Sequence, residues 1–422
     1  MKKIISLFLA CLILLGMLSG CTDTPPDVSG DGGNTTGGNE TVKAETLTVA
    51  GADISAYTIV YAPAYSADFR DAYEEFLGED YEHGLETANE LADLLYETLG
   101  VRLAVKSEGE GEVAREILIG ATIREASASV TVSQTDAYAV SVVGEKLVVT
   151  GGSDGAVYHA LDSIETALTK AQSKDLAWGE GAVLSGVAPL RHIACLGDSI
   201  TEGSIGGRVT PELAYPAALQ RLLWQDAVVY NYGLGGTTMM STSKSPYMSS
   251  AQYADCLASP EKYDLVLIML GTNDAKVAFD ALTAANNGVK PETAEERASA
   301  WTEELDTEYR ASLASMMAAL KAHSPSARFA FMNCPVKYTP DGYGDVYMQA
   351  VQENAVAEIY ADGYDITLYD MYAYTCEFLT QDNFRDGLHP DYAGYAIIAE
   401  GVCELVYHLL DGDENEYIIP LD

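Results

Sequence analysis

Basic residues are scarce in this chain. Only 24 Lys and Arg stand against 63 Asp and Glu over 422 residues, a formal net charge of -39. Such a field repels nucleic acid, polyanionic glycans and anionic headgroups, and leaves a neutral or cationic partner. Cysteine is sparse too: seven residues with no C-x-x-C spacing, which gives neither a zinc site nor a dithiol redox pair. Cys11 and Cys21 belong to the N-terminal segment, and Cys195, Cys256, Cys334, Cys376 and Cys403 remain. Cys195 inside an apolar strand pattern and Cys334 at the end of one read as buried free thiols. No glycine-rich loop ends in G-K-[ST], so a phosphate loop is excluded. The acidic run Asp411–Glu416 lacks EF-hand spacing and reads as a solvated tail. No metal or cofactor is expected.

What is present begins at the N-terminus. Lys2-Lys3 precedes a short apolar run, Ile4 to Met17, and Leu18-Ser19-Gly20-Cys21 matches a bacterial lipobox. Residues 1–20 are then expected to be a lipoprotein signal peptide, with Cys21 the lipid anchor. That places the protein outside the cytoplasm, attached to the cell membrane through Cys21 alone. Residues 21–44 hold almost no large apolar side chains and are expected to be a flexible tether.

At this length two domains are the default. The first is expected over 45–188, with mixed α+β order. Strand patterns are read at Leu47–Val49, Tyr57–Tyr61, Val101–Val105, Glu116–Gly120, Tyr138–Val143 and Lys146–Thr150, with a hairpin turn at Gly144-Glu145. Helical periodicity covers 67 to 99 and about 155 to 170. The runs from Glu116 to Thr122, Asp136 to Val143 and Lys146 to Asp154 resemble the small α/β domain that precedes the catalytic barrel of family 20 glycoside hydrolases. That resemblance implies carbohydrate-associated company and no chemistry of its own.

The second domain is expected over 189–412, followed by an acidic tail at 413–422. Strands at His192–Leu196, Ala227–Tyr232, Leu265–Leu270, Arg328–Asn333 and Ile366–Tyr369 alternate with helical patterns. A parallel sheet with helices on both faces follows, with ligands beyond the C-terminal strand ends. Four segments fall at such ends or at a helix start: Gly197-Asp198-Ser199, Gly233-Leu234-Gly235-Gly236, Gly271-Thr272-Asn273-Asp274 and Asp386-Gly387-Leu388-His389. Together they supply acyl transfer: Ser199 as nucleophile, His389 as base, Asp386 to orient it, and N–H donors for an oxyanion. Two decoys lie in the first domain. Asp80 and His83 repeat the D-x-x-H spacing, and Gly151-Gly152-Ser153-Asp154-Gly155 fits G-x-S-x-G between a strand and a helix. Neither has a second set of partners, and both are assigned to structure.

The four blocks resemble those of the SGNH (GDSL-type) hydrolases. The resemblance covers about 190 to 410 and implies a flavodoxin-like three-layer α/β/α fold with Ser199, His389 and Asp386 catalytic. It implies an oxyanion hole of Ser199, Gly236 and Asn273, and places Tyr215-Pro216 in the first helix. The stretch from Ala275 to Arg297 is longer than in many such enzymes and is expected to border the pocket. The reading is an esterase for O-acyl, above all O-acetyl, groups on a polysaccharide or oligosaccharide. A lipase or lysophospholipase, a glycan binder without turnover, and an acyltransferase to sugar hydroxyls are the alternatives.

Overall fold

The computed structural model describes residues 41–64, 69, 82–339 and 345–421. The signal-peptide, lipobox and Cys21 readings, most of the tether, Asp80 and part of the 67–99 helix lie outside the described residues. From Thr41 onward the chain is one compact unit containing two lobes.

The first lobe is built on a six-stranded sheet: β1 (Thr58–Tyr61), β2 (Val105–Ser107), β3 (Glu116–Ile119), β4 (Ala137–Val143), β5 (Lys146–Gly151) and β6 (Gly181–Val187). Their order is β2-β1-β3-β5-β4-β6; β2, β1, β3 and β5 run parallel, while β4 is antiparallel to both β5 and β6. Helices α1 (His83–Leu99) and α2 (Asp154–Thr169) cover one face. There Ile59, Ile117, Val140 and Val149 bury against Leu91, Leu95, Ala160 and Ile164. A small side sheet joins Thr46–Val49 in parallel to Asp175–Trp178. Thr41–Ala44, read as the end of the tether, is instead part of the lobe. Ala44 is buried, and the N–H groups of Val42 and Ala44 donate to the carbonyls of Ala171 and Leu168.

The second lobe carries β7 (Arg191–Gly197), β8 (Ala227–Gly233), β9 (Leu265–Met269), β10 (Arg328–Met332), β11 (Ile366–Tyr369) and β12 (Ile418–Ile419) in the order β8-β7-β9-β10-β11-β12. All are parallel except β12. The helices that matter below are α3 (Ser199–Glu202), α4 (Tyr215–Leu222), α5 (Thr272–Ala285), α6 (Glu303–His323), α7 (Asp345–Ala361) and α8 (Tyr392–Asp411). Alternate residues of a strand face opposite sides. Ile193, Cys195, Leu265 and Leu267 therefore pack with Leu219 of α4 and Tyr395 and Ile398 of α8. Ala194, Leu196, Val266 and Ile268 pack with Leu313 and Met316 of α6 and Val356 of α7. Both faces are covered, which is why these strands are almost continuously apolar. The acidic tail is not wholly solvated. Ile418 and Ile419 add β12 antiparallel to β11, and the Tyr417 carbonyl accepts from Asp370 N–H. Three apolar side chains after the charges give that segment a reason to dock.

Among the described residues the cysteines are free, with Cys195, Cys256 and Cys334 buried. The two lobes share packing. Leu190 and Val228 of the second lobe bury in the first lobe's core. His83 stacks on Trp224 with centroids 4.4 Å apart, and Gln225 Nε2 donates to Glu86 Oε1 at 3.0 Å. Gly155, in the first turn of α2, sits so close that a Cβ would stand 2.2 Å from the Trp224 carbonyl oxygen. Backbone cannot yield as a side-chain tip can. Gly155→Ala is therefore expected to destabilise the fold by about 1–3 kcal/mol, as overpacking does. Urea unfolding checks this, and an unchanged midpoint would contradict it.

Candidate active site

The three parallel strands β8, β7 and β9 end side by side. In sequence the chain passes from β7 to β8 on one side, then to β9 on the other, so the crevice above β7 is a topological switch point. Ser199 follows β7, Gly235-Gly236 follows β8, and Asn273 follows β9.

Ser199 opens α3, and Asp198 caps it by accepting the Ile200 N–H at 3.1 Å. A Cβ at Gly233 would fall 2.2 Å from the Glu202 nitrogen, so glycine there lets β8 close onto α3. His389 arrives from the loop before α8. Its Nε2 lies 2.8 Å from Ser199 Oγ, and its Nδ1 lies 2.7 Å from Asp386 Oδ2. A carboxylate only accepts, so the ring proton sits on Nδ1 and Nε2 is left to accept from the serine hydroxyl. Asp386 Oδ1 accepts the N–H groups of Leu388 and His389 at 3.0 and 2.8 Å. Burial raises the Asp386 carboxyl, but these bonds outweigh it and hold it below the ordinary carboxylate value. Gly387 makes the three-residue turn possible with φ of +78°, and its carbonyl accepts from Tyr338 N–H. Pro390 sits one residue ahead of the Asp391 cap of α8, and Tyr395 of that helix donates to the Ser204 carbonyl at 2.9 Å. That bond ties the helix that follows His389 to the loop that follows Ser199.

The three groups expected to act as oxyanion donors are placed differently from one another. Ser199 N–H and Gly236 N–H have no partner among the described residues, and Gly236 takes φ of +76°. Asn273 is more engaged than its sequence motif suggests. Its Nδ2 donates to Asp198 Oδ2 at 3.2 Å and to the Thr237 carbonyl at 3.0 Å. Both amide hydrogens are in use, so donation to a substrate oxygen requires one of these bonds to be exchanged.

The loop that carries Gly236 is held from three sides. Glu202 Oε2 accepts the Gly235 N–H at 2.9 Å, Asn273 grips Thr237, and Asp274 accepts the N–H groups of Met239 and Met240, each at 2.9 Å. Sequence reading missed Glu202. Its signal was available: at three residues past Ser199 it shares a helix face with the nucleophile. Asp198 and Asp274 were read only as motif letters, and the structure makes them buried acceptors. Burial lifts Asp198 to about 6, against the Ile200 N–H and the nearby charges of His389 and Lys337. Burial lifts Asp274 to about 7, against the N–H groups of Met240 and Met239.

The two decoys meet each other. His83 Nδ1 bonds Asp154 Oδ2 at 3.0 Å, while Ser153 Oγ accepts from Ala156 N–H as an ordinary helix cap. Ser153 is thereby spent on structure, as expected. The Ala275–Arg297 stretch forms most of α5, which starts beside Asn273, and a short capped helix, Ala294–Ala298.

Comparison with known proteins adds the following. Residues 195–397 match the model of the GDSL-like Lipase/Acylhydrolase family. An acetylxylan esterase of Xylanibacter ruminicola is 42% identical over 85 residues, which is 20% of this chain and 17% of that protein. The match thus spans well under two thirds of that relative's length. A carbohydrate esterase family 2 enzyme with a carbohydrate binding domain, from Corynascus thermopiles (Myceliophthora fergusii), is similar in structure. It is 21% identical and covers 55% of this chain and 70% of its own, with a TM-score of 0.38. A catalytic mutant of an acetylxylan esterase from Geobacillus stearothermophilus is 21% identical over 51% of this chain and 93% of its own, with a TM-score of 0.35.

Two outcomes follow from this geometry. Glu202→Ala is expected to lower kcat about 10- to 100-fold with little change in KM, because it frees the loop that carries Gly236, an expected oxyanion donor, without touching substrate. Glu202→Gln keeps an acceptor and is expected to restore most of the rate. Equal kcat for wild type and Glu202→Ala would contradict this. The second outcome concerns pH. A carboxyl raised in the fold stabilises it below the unfolded value and loses that share as pH rises through the folded value. For Asp198 and Asp274 that window runs from 3.8 to about 7. Glu116, held down to about 2 by Lys146, Val113 N–H and Arg124 despite burial, contributes the opposite slope only at lower pH. Thermal stability is therefore expected to peak near pH 4–5 and fall towards pH 8. A tenfold difference in proton affinity between folded and unfolded chain is worth about 1.4 kcal/mol. A Tm that rises from pH 5 to 8 would contradict it.

Proposed function

We propose that the second lobe, an SGNH-type (GDSL) acylhydrolase domain, makes this chain a serine esterase that removes O-acyl groups, above all O-acetyl groups, from a polysaccharide or oligosaccharide. The observation that carries the chemistry is the unbroken relay from Ser199 Oγ through His389 to Asp386, at 2.8 and 2.7 Å. The preference for an acetylated glycan is supported by the match to a protein described as an acetylxylan esterase. It is also supported by the chain's negative charge, which suits a neutral polymer better than an anionic lipid surface.

In the proposed cycle Ser199 Oγ attacks the ester carbonyl and its proton passes to His389 Nε2. Asp386 holds the ring and balances the imidazolium. The tetrahedral oxyanion meets the Ser199 and Gly236 N–H groups, with Asn273 joining by exchange of a bond. Collapse breaks the bond to the sugar oxygen, which takes the proton from His389 and leaves an acetylated Ser199. Water then attacks the acyl-enzyme and gives its proton to His389; collapse breaks the bond to Ser199 Oγ, which takes the proton back from His389, and the acetyl group leaves as acetic acid, which ionises to acetate. The Leu18–Cys21 motif supports anchoring outside the cytoplasm through a lipidated Cys21, where a soluble glycan is within reach.

Acetate release from acetylated xylan, beside hydrolysis of short- and long-chain model esters, tests the reading. Ser199→Ala is expected to lose at least about 10³-fold in kcat. Preference for long acyl chains would replace it with a lipase. Absence of Ser199-dependent turnover on any ester would leave a glycan-binding protein.

A further inference from the structure

The first lobe repeats the strand logic of the second. From β1 the chain crosses through α1 to β2 on one side and then goes to β3 on the other, giving the order β2-β1-β3-β5. The second lobe runs β8-β7-β9-β10 in the same way. The crevice between the C-terminal ends of β1 and β3 is thus the counterpart of the crevice that holds Ser199, and it is where an open parallel sheet binds ligands.

That crevice is a cavity of about 370 Å³, a size that admits a small organic ligand. Ala62 after β1, Gly120 after β3 and Asp154 after β5 line it, and Gly84 in the first turn of α1 closes one side. The far wall comes from the other lobe, through Ala217 and Arg221 of α4. His83, also in the wall, is 4% exposed. Its Nδ1–H is held by Asp154, and its Nε2 has no partner among the described residues. The Asp154 side chain is 64% exposed, so the histidine fixes a carboxylate that still faces solvent. Neither half of this pair serves Ser199.

We propose that this interlobe cavity is a second binding site, which takes one neutral sugar unit of a glycan chain. Asp154 offers an oriented acceptor for sugar hydroxyls. His83 and Thr87 back the wall as buried side chains, and His83 acts on the cavity only by holding Asp154. Alanines, Ile119 and Val157 supply apolar walls for ring C–H faces. The choice of sugar rests on the esterase reading above, whereas the site itself rests on the cavity and its topology. The first lobe would then hold a polysaccharide chain while the second removes its ester groups.

The test is calorimetric titration of the full chain, as Ser199→Ala, with xylohexaose, cellohexaose and mannohexaose, none of which carries an ester. At least one is expected to bind, and both Asp154→Ala and Ala121→Trp are expected to weaken it at least 10-fold. Ala121 is exposed on the cavity rim, so the tryptophan blocks the site without disturbing the core. In the Ser199 background both variants are expected to hydrolyse 4-nitrophenyl acetate at the unaltered rate. Binding that survives both substitutions, binding by a uronic acid oligosaccharide alone, or no binding by any of the three sugars would overturn the proposal. Loss of esterase activity with binding intact would instead overturn the esterase reading and leave this site standing.

Discussion

The hydrogen bond between Ser199 and His389 joins groups 190 residues apart, and the rest of the second lobe is arranged around it. The sheet order brings the β7 end to the middle of the crevice. Tyr395 ties α8 back to the Ser204 carbonyl, so the histidine's loop cannot drift from the serine's. Gly233 lets β8 approach α3 within what would be the radius of a methyl group. Each of these is a packing constraint, and together they convert packing into a catalytic distance.

The site is also an arrangement of buried carboxylates. Asp198 and Asp274 lie beneath the crevice, both lifted by burial, and both spend their oxygens on hydrogen bonds that fix the oxyanion loop and its neighbours. Asp386 differs in kind: it is partly open to solvent and is held ionised by His389 and two backbone N–H groups. Burial thus favours the neutral form of Asp198 and Asp274, whereas the hydrogen bonds to Asp386 favour its ionised form.

Much of this was legible in the sequence for a specific reason. Ser199 and Asn273 lie in the first turn of a helix just after an apolar strand, Gly236 in the loop after another, and the Asp386–His389 pair just before α8, so their placement follows from periodicity. The features that escaped depend on contacts with no local signature. Glu202 matters because of where Gly235 lies in space. β6 carries two glycines and mostly exposed positions, which hides its strand character. β2, at Val105–Ser107, lies a few residues beyond the expected Val101–Val105, although Leu103 is buried as the strand pattern suggested. The pairing of His83 with Asp154 could not be read at all, since each belonged to a motif that sequence alone set aside. They meet beside the C-terminal strand ends of the first lobe.

The central claim is that Ser199 is a nucleophile activated through His389. Mass spectrometry of the protein after exposure to a fluorophosphonate tests it most directly. The account predicts one phosphonyl adduct on the peptide bearing Ser199, formed rapidly in the wild type and suppressed in His389→Ala. An unlabelled Ser199, or labelling that proceeds equally fast without His389, would contradict it.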